Sequence, residues 1–310
     1  MTATKLPDEV TIREVGPRDG FQNESEIIPT DEKVRLIEML ARTGLRRLEV
    51  TSFVRADVIA QLADAEAVLA RIDVPDGVAL SVLVPNERGL DRALEQRERF
   101  HEVSCFLSAS ETHNRHNVRR TIEQSLEELE RVVDRAGRSG LRAGAVISVA
   151  FGCPYEGEVP PERVFRIARR LIDAGAAEIG FGDTTGMANP AQVGRFFAQA
   201  REDLGAQVEL TAHFHNTRGQ GLANVLAALG AGCRSFESSF GELGGCPVPP
   251  GATGNIATED LVCMLEEMGI ATGVSLDRLL DTARAVREVL GRPLGSHTLL
   301  AGPIDWHPTA

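Results

Sequence analysis

Residues 177–215 run AEIGFGDTTGMANPAQVGRFFAQAREDLGAQVELTAHFH and decide the fold class. The apolar run Ala177–Gly182 predicts a strand, Pro190 stands where a helix should begin, and Val208–His215 predicts the next strand. Proline is tolerated at the first position of a helix because its missing N–H would have no intrahelical partner there. The order strand, helix, strand indicates one repeat of a parallel sheet.

The same alternation of short apolar runs and longer helical patterns occurs about eight times along the chain. An open doubly wound sheet would have similar crossover helices, but eight evenly spaced strands favour a closed barrel. We therefore predict an α/β fold of the (β/α)8 TIM-barrel type. The predicted strands are Val10–Val15, Arg47–Phe53, Ala79–Val84, His101–Leu107, Arg142–Ala150, Ala177–Gly182, Val208–His215 and Ser235–Phe240.

Further helices are predicted beyond the eighth strand, from Thr258 to Met268 and from Leu276 to Leu290. A minimal barrel does not need them, so they either cap the barrel or serve an interface, and a homodimer is a candidate assembly. The chain contains no low-complexity linker. Residues 1–310 are therefore expected to form a single TIM-barrel domain, with the C-terminal helical segment, about 258–310, packed on the barrel.

The composition excludes several classes of protein. The formal net charge is -12, and no Lys/Arg-rich run is present, so the global field would repel a phosphate backbone. Five cysteines without a CxxC pair argue against a disulfide framework and against a zinc ribbon. No apolar stretch approaches the ~20 residues that span a bilayer. We expect a cytoplasmic protein that binds neither nucleic acid nor membrane.

Polar residues follow several of the predicted strands directly. In a TIM barrel the carboxyl ends of the strands form the working face, so these residues are the first candidates for function. They include Arg18, Asp19 and Gln22 after the first strand, Glu49 and Ser52 at the end of the second, Asp183 after the sixth, and His213 and His215 at the end of the seventh.

His213 and His215 are candidates for metal ligands. Side chains on a strand alternate between its two faces, so the two imidazoles should point the same way. Asp19 and the side-chain oxygen of Asn255 would complete a mixed nitrogen and oxygen set, which suits octahedral Mg²⁺ or Mn²⁺ better than a closed zinc site. An isolated HxH pair is equally compatible with core histidines, but its position at a strand end favours the metal site.

The segment from Gly241 to Gly254 contains five glycines and three prolines, which predicts an irregular loop over the barrel mouth. Taken alone, Cys246 within it is more simply a small loop residue than a proton donor or acceptor. Gly180 and Gly182 form only part of a dinucleotide fingerprint, because the third glycine is missing. A nicotinamide site is therefore not predicted.

Taken together, these segments resemble the 3-hydroxy-3-methylglutaryl-CoA lyase family, a group of metal-dependent TIM-barrel acyl-CoA lyases. The resemblance extends from about Val10 to Leu290. It rests on Glu14-Val15-Gly16-Pro17-Arg18-Asp19-Gly20, Gln22-Asn23-Glu24, Thr51-Ser52-Phe53-Val54, Gly152-Cys153-Pro154-Tyr155-Glu156-Gly157, Gly182-Asp183-Thr184, His213-Phe214-His215, Leu243-Gly244-Gly245-Cys246-Pro247 and Gly254-Asn255-Ile256-Ala257-Thr258-Glu259-Asp260.

The resemblance implies a function and a role for each site residue. The implied reaction is the retro-aldol cleavage of 3-hydroxy-3-methylglutaryl-CoA to acetyl-CoA and acetoacetate, a step of leucine degradation, with Mg²⁺ or Mn²⁺ as cofactor and coenzyme A as part of the substrate. Arg18 would stabilise the enolate, and Cys246 would be a catalytic loop cysteine. The implied metal ligands are Asp19, His213, His215 and Asn255, with Glu49, Asp183 and Glu259 supporting the site or transferring protons.

Some segments depart from the family pattern. The chain has Asn216-Thr217-Arg218-Gly219 after His215, where family members usually read DTYG, and a more basic segment around Arg115. Both arginines are expected on loops at the working face. With Gln22 and Ser52 from the strand ends, they are the candidate substrate-binding residues: Gln22, Ser52, Arg115 and Arg218.

Two alternative functions differ from the implied one. A lyase of the same chemistry could act on another 3-hydroxy-acyl-CoA, such as citramalyl-CoA. A non-catalytic barrel scaffold would be expected to lose a metal ligand or Arg18, and all of these residues are present.

Overall fold

The computed structural model describes residues 6–245 and 253–306, and within them eight parallel strands close into a barrel. Each strand pairs with the next along the chain, and the eighth pairs with the first. This confirms the TIM-barrel prediction. The strands are β1 Thr11–Glu14, β2 Arg47–Ser52, β3 Ala79–Leu83, β4 Glu102–Ser108, β5 Arg142–Ser148, β6 Glu178–Asp183, β7 Glu209–Phe214 and β8 Ser235–Ser238.

Helices surround the barrel, and the additional C-terminal helices are present as predicted. Pro190 begins a helix, as expected, because its ring fits the first turn. The helices are α1 Thr30–Ala41, α2 Ala65–Arg71, α3 Glu87–Leu94, α4 Glu111–Val118, α5 Ile122–Arg138, α6 Pro161–Asp173, α7 Pro190–Leu204, α8 Gly221–Gly230, α9 Thr258–Glu267, α10 Leu276–Leu290 and α11 His297–Ala301.

Three local predictions were wrong. The fifth strand ends at Ser148 instead of Ala150, because Val149 has a positive φ of 51° and leaves the extended conformation. Arg115 does not lie on a loop but on α4, which begins there because the Ser110 side chain accepts the backbone N–H of His113, 3.1 Å away. The eighth strand ends at Ser238 instead of Phe240, since a tight turn, Phe240–Glu242, follows it with Gly241 at a positive φ of 69°. The turn redirects the chain across the barrel mouth.

The C-terminal segment contacts the barrel at several points. Asp260 accepts the Ser296 hydroxyl and the Thr298 backbone N–H, at 3.0 and 2.7 Å. The backbone N–H of Gly295 donates to the carbonyl of Gly241 in the turn after β8. These bonds tie the start of α11 to the working face. Among the described residues, no helix has the length and apolar character that crossing a membrane requires.

Buried arginines and glutamates fill one layer of the barrel interior. Arg13 on β1 contacts carboxylates from three other strands, and strand register sets it opposite Arg47 on one side and Glu237 on the other. Burial of so many charges is tolerable only because each is paired. Its buried members are Arg13, Arg47, Glu102, Glu178 and Glu237, and the partly exposed Arg142 and Glu209 extend it.

Candidate active site and metal centre

A wide helical turn, Gly16–Gly20, carries Arg18 and Asp19 from the end of β1 over the barrel mouth. The backbone N–H of Asp19 donates to the carbonyl of Val15 across 2.7 Å and closes the turn. Its first residue is held by Glu14, whose carboxylate accepts the Gly16 N–H at 2.7 Å. The same carboxylate accepts the Phe240 N–H and the Thr258 hydroxyl, so β1, the turn after β8 and α9 meet at one buried group.

Asp19, His213 and His215 converge at the mouth, with one ligand atom from each lying within 4.8 Å of the others. The Nε2 atoms of the two histidines are 3.0 Å apart. His215 lies just beyond β7, where it pairs with Asn255 in an isolated antiparallel bridge. The predicted convergence of the imidazoles with the aspartate is therefore present in the structure.

Asn255, which is distant from the other three residues in sequence, completes the group of candidate metal ligands. Its Nδ2 lies 2.7 Å from Asp19 Oδ2, and its Oδ1 is buried with no hydrogen-bond partner among the described residues. Rotation of the Asn255 amide by half a turn would place Oδ1 where Nδ2 now lies, beside Asp19. The nitrogen and oxygen of an amide are nearly equivalent in shape, so the site accommodates either orientation. An orphaned buried oxygen beside a carboxylate and two imidazoles fits a hard divalent cation.

The charges of these groups also suit a cation. Burial alone would raise the pKa of the Asp19 carboxyl, but Arg18 and the two imidazoles outweigh burial and lower it to about 2. Burial and the neighbouring His213 lower the pKa of His215 to about 3. Burial also lowers the pKa of His213, but its hydrogen bond to Glu237, together with the negative charges of Glu237 and Asp19, outweighs burial and raises that pKa. At neutral pH, Asp19 is therefore ionised, and the imidazole of His215 is neutral and can offer a nitrogen lone pair to a metal ion.

Arg18 is fixed between two carboxylates. Its Nε donates to Glu49 Oε2 at 2.5 Å and its Nη1 donates to Asp19 Oδ1 at 2.7 Å. Glu49 lies within β2, three residues before its end at Ser52, and is almost completely buried. The two bonds hold the guanidinium plane at the edge of the metal set, where it can meet a negative charge that develops on a bound molecule.

Asp183 ends β6 and presents one free carboxylate oxygen. Its Oδ1 accepts the backbone N–H groups of Met187 and Ala188, at 2.8 and 3.0 Å. Its Oδ2 is buried without a hydrogen-bond partner in the described part of the chain. Burial outweighs those two bonds and raises the pKa of Asp183 to about 7. Such a group can take up a proton near neutral pH.

The predicted substrate-binding residues are more dispersed. Ser52 is buried at the end of β2, where its hydroxyl accepts the backbone N–H of Val54, and Gln22 is half-buried beyond the turn that carries Asp19. Arg218 donates to the carbonyls of Thr185 and Gly186, at 2.9 and 2.7 Å, in the loop after β6. Arg115 is exposed and pairs with Glu111 one helical turn away. Their role in binding stays a prediction.

Three further residues bear on the site. Cys246 lies outside the described residues. Glu259 is fully buried on α9 and accepts the Gly241 N–H at 3.0 Å, and burial raises the pKa of its carboxyl to about 8. Sequence reasoning missed Glu237, which contacts His213 from β8 at 2.8 Å. The available signal was a single charged residue inside the predicted eighth strand, whose other residues are serines and phenylalanines.

Comparison with known proteins shows what this chain is similar to. Residues 9–286 match the family model described as HMGL-like. The chain is 47% identical to a hydroxymethylglutaryl-CoA lyase of Bacillus subtilis over 293 residues, which cover 94% of this chain and 97% of the relative. It is 40% identical to a hydroxymethylglutaryl-CoA lyase of Pseudomonas mevalonii, with 94% and 96% covered. An HMG-CoA lyase of Acinetobacter baumannii, solved with coenzyme A and 3-methylmalate, superposes with a TM-score of 0.91 at 41% identity, covering 98% of each chain.

Proposed function

This chain belongs to the HMGL-like family, and we propose from that premise that it is a hydroxymethylglutaryl-CoA lyase, a carbon–carbon lyase that converts 3-hydroxy-3-methylglutaryl-CoA to acetyl-CoA and acetoacetate. The observation that carries the proposal is the convergence of Asp19, His213 and His215 beside the fixed guanidinium of Arg18. Relatives of 40–47% identity over nearly the full length bear the name of this activity.

Asp19, His213, His215 and Asn255 would hold a divalent cation, Mg²⁺ or Mn²⁺. A bound cation would supply Lewis acidity that lowers the pKa of the substrate's C3 hydroxyl. Both oxygen and imidazole donors are compatible with either metal. The residues of the chain then have to accept one proton, stabilise one developing anion and return one proton.

Asp183 is the proposed base, because its Oδ2 is unpartnered among the described residues and its pKa lies near 7. It accepts the proton of the C3 hydroxyl, and the C3 oxygen becomes the ketone of acetoacetate as the C2–C3 bond breaks. The electron pair of that bond moves to the thioester as an enolate. Arg18 donates to the enolate oxygen, and Glu49 keeps the guanidinium oriented during the step.

Protonation of the enolate at C2 completes acetyl-CoA. Cys246 is the proposed donor, as the family resemblance implies, and Glu259 is proposed to support the chain that leads to it through its bond to the Gly241 N–H. Gln22, Ser52, Arg115 and Arg218 remain the candidates for contacts with the acyl group or with coenzyme A.

Further features of the enzyme follow as part of the proposal. Coenzyme A enters as part of the substrate, and a relative of this family was solved with coenzyme A bound. The reaction would serve leucine degradation. The cysteine pattern supports a reducing, cytoplasmic location. The helices after β8 are a candidate homodimer interface.

The substrate is tested with a panel of 3-hydroxy-acyl-CoA thioesters, assayed with the purified protein and Mg²⁺. We expect the highest kcat/KM for 3-hydroxy-3-methylglutaryl-CoA, with acetyl-CoA and acetoacetate released in equal amounts. A higher kcat/KM for citramalyl-CoA, with release of pyruvate, would contradict the proposed substrate while leaving the reaction type in place. Absence of cleavage of every thioester would favour the non-catalytic scaffold.

A further inference from the structure

We propose that Glu237 is a positioning residue that selects the metal-binding form of His213, and that the buried Arg13 holds Glu237 in place for this task. The proposal rests on the metal site of the proposed function. It adds a layer of residues behind that site, extending from the mouth of the barrel into its interior.

Glu237 and His213 are neighbours across the sheet. The register of β7 and β8 sets the two residues opposite each other, and Glu237 Oε2 lies 2.8 Å from His213 Nδ1. Both are buried, with 3% and 8% of their surfaces exposed. Bulk water is therefore a poor competitor for this bond, and the carboxylate is the partner of Nδ1.

The other oxygen of Glu237 is bound to the interior charge layer. Arg13 Nη1 donates to Glu237 Oε1 at 3.3 Å. Arg13 Nη2 in turn donates to Glu102 and to Glu178, both at 2.9 Å. Arg13 is 3% exposed and is anchored on three sides, so the Glu237 carboxylate is restrained from both ends.

The restrained carboxylate of Glu237 determines which nitrogen of the His213 imidazole carries the proton. A carboxylate accepts only, so His213 must place its proton on Nδ1 to bond to Glu237. The Nε2 atom of the neutral ring then keeps its lone pair, and it faces His215 at 3.0 Å, inside the metal set. Carboxylates that orient metal-bound histidines in this way typically contribute about 10–100-fold to metal affinity.

The test compares Glu237→Gln with wild type by titrating Mn²⁺ into the metal-free protein without substrate, using the electron paramagnetic resonance signal of free Mn²⁺. The glutamine amide can donate to Nδ1, which would move the ring proton to Nε2 and block the ligand atom. We expect the Mn²⁺ affinity to fall by about 10–100-fold. This readout does not depend on which thioester is cleaved, so it is separate from failure of the proposed substrate.

Glu209→Gln is the matched control. Glu209 belongs to the same charge layer, pairing with Arg47 at 2.9 Å and Arg142 at 2.6 Å, and within the described residues it hydrogen-bonds to neither histidine of the metal set. We expect its Mn²⁺ affinity to equal that of wild type. Equal losses in both variants would show that the charge of the layer, and not the bond to His213, sets the affinity, and would overturn the proposal.

A second measurement needs no variant of Glu237. The ¹⁵N shifts of the imidazole nitrogens in metal-free wild type, at mildly alkaline pH and assigned with His213→Asn, report the tautomer directly. We expect Nδ1 of His213 to be protonated and Nε2 to be free. The opposite tautomer, or wild-type Mn²⁺ affinity in Glu237→Gln, would overturn the proposal.

Discussion

At the scale of single residues, the surroundings of each carboxylate determine its protonation state and therefore its task in the site. Arg18 keeps Asp19 ionised, whereas Asp183 has no cationic partner at hydrogen-bond distance among the described residues, and its pKa lies close to neutral pH. Two aspartates with the same side chain therefore suit opposite tasks, one as a permanent ligand and the other as an acceptor of protons. Burial and the nearest donor decide between these tasks.

Substitution of Arg18 tests whether this residue stabilises the enolate. Arg18→Gln removes the cation that faces the developing charge, and we expect kcat to fall by about 10²–10³, the usual loss for one such donor. Mn²⁺ affinity should change much less, because the four proposed ligands remain. The surface variant Arg35→Gln, on α1 and paired with Glu32, should behave as wild type in both assays. A parallel loss of Mn²⁺ affinity in Arg18→Gln would instead give Arg18 a structural role.

The base is tested by the pH dependence of kcat/KM, which reports the free enzyme. Burial raises the pKa of Asp183 to about 7, and only its ionised form can accept the hydroxyl proton. The rate should therefore fall as the pH decreases through this value, and a bound cation would move the midpoint downward. Asp183→Asn should lower kcat strongly. An acid limb that persists unchanged in Asp183→Asn would assign the titration to another group.

At the scale of elements, the chain after β8 has to approach the ligands closely. Gly244 lies there with a positive φ of 95°, and a Cβ at this position would lie 2.6 Å from Asn255 Nδ2 and 3.2 Å from Asp19 Oδ2. Real Cβ atoms essentially never approach another heavy atom to 2.6 Å, so glycine is favoured here for two reasons, its backbone angle and its lack of a side chain.

Gly244→Ala should therefore displace Asn255 or Asp19 and weaken metal binding, in addition to straining the backbone. Gly232→Ala is a matched control, because Gly232 has the same φ of 95° and a Cβ there would meet no described atom within 4 Å beyond its chain neighbours. We expect both variants to lose thermal stability and only Gly244→Ala to lose Mn²⁺ affinity, as measured by titration. Equal Mn²⁺ affinity in the two variants would show that the close approach has no effect on the ligands.

The elements were also what the sequence predicted best. Strand alternation and strand ends predicted the barrel and the convergence of Asp19 with His213 and His215, because parallel strands deliver their carboxyl ends to one edge. Glu237 could not be assigned in this way. Its role depends on the register between β7 and β8, which a single sequence does not contain. The loop predicted around Arg115 is a helix instead, and the side chain of Ser110 caps its first turn.

At the scale of the whole molecule, barrel closure assembles the site from distant parts of the chain. Asp19 and Asn255 are 236 positions apart and come into contact because β8 returns to pair with β1. The interior layer of paired charges lies beneath them, and Arg13 links three strands within it. Ligands and support thus form only when the barrel closes, which makes metal binding a readout of the complete fold.

The most direct test of the account is the metal dependence of the cleavage itself. We expect protein that has been stripped of metal and verified by elemental analysis to leave 3-hydroxy-3-methylglutaryl-CoA intact, because the proposed four-residue ligand set would then lack its cation. Addition of Mg²⁺ or Mn²⁺ should restore the release of acetyl-CoA and acetoacetate in equal amounts. Full cleavage by the verified metal-free protein would contradict the account.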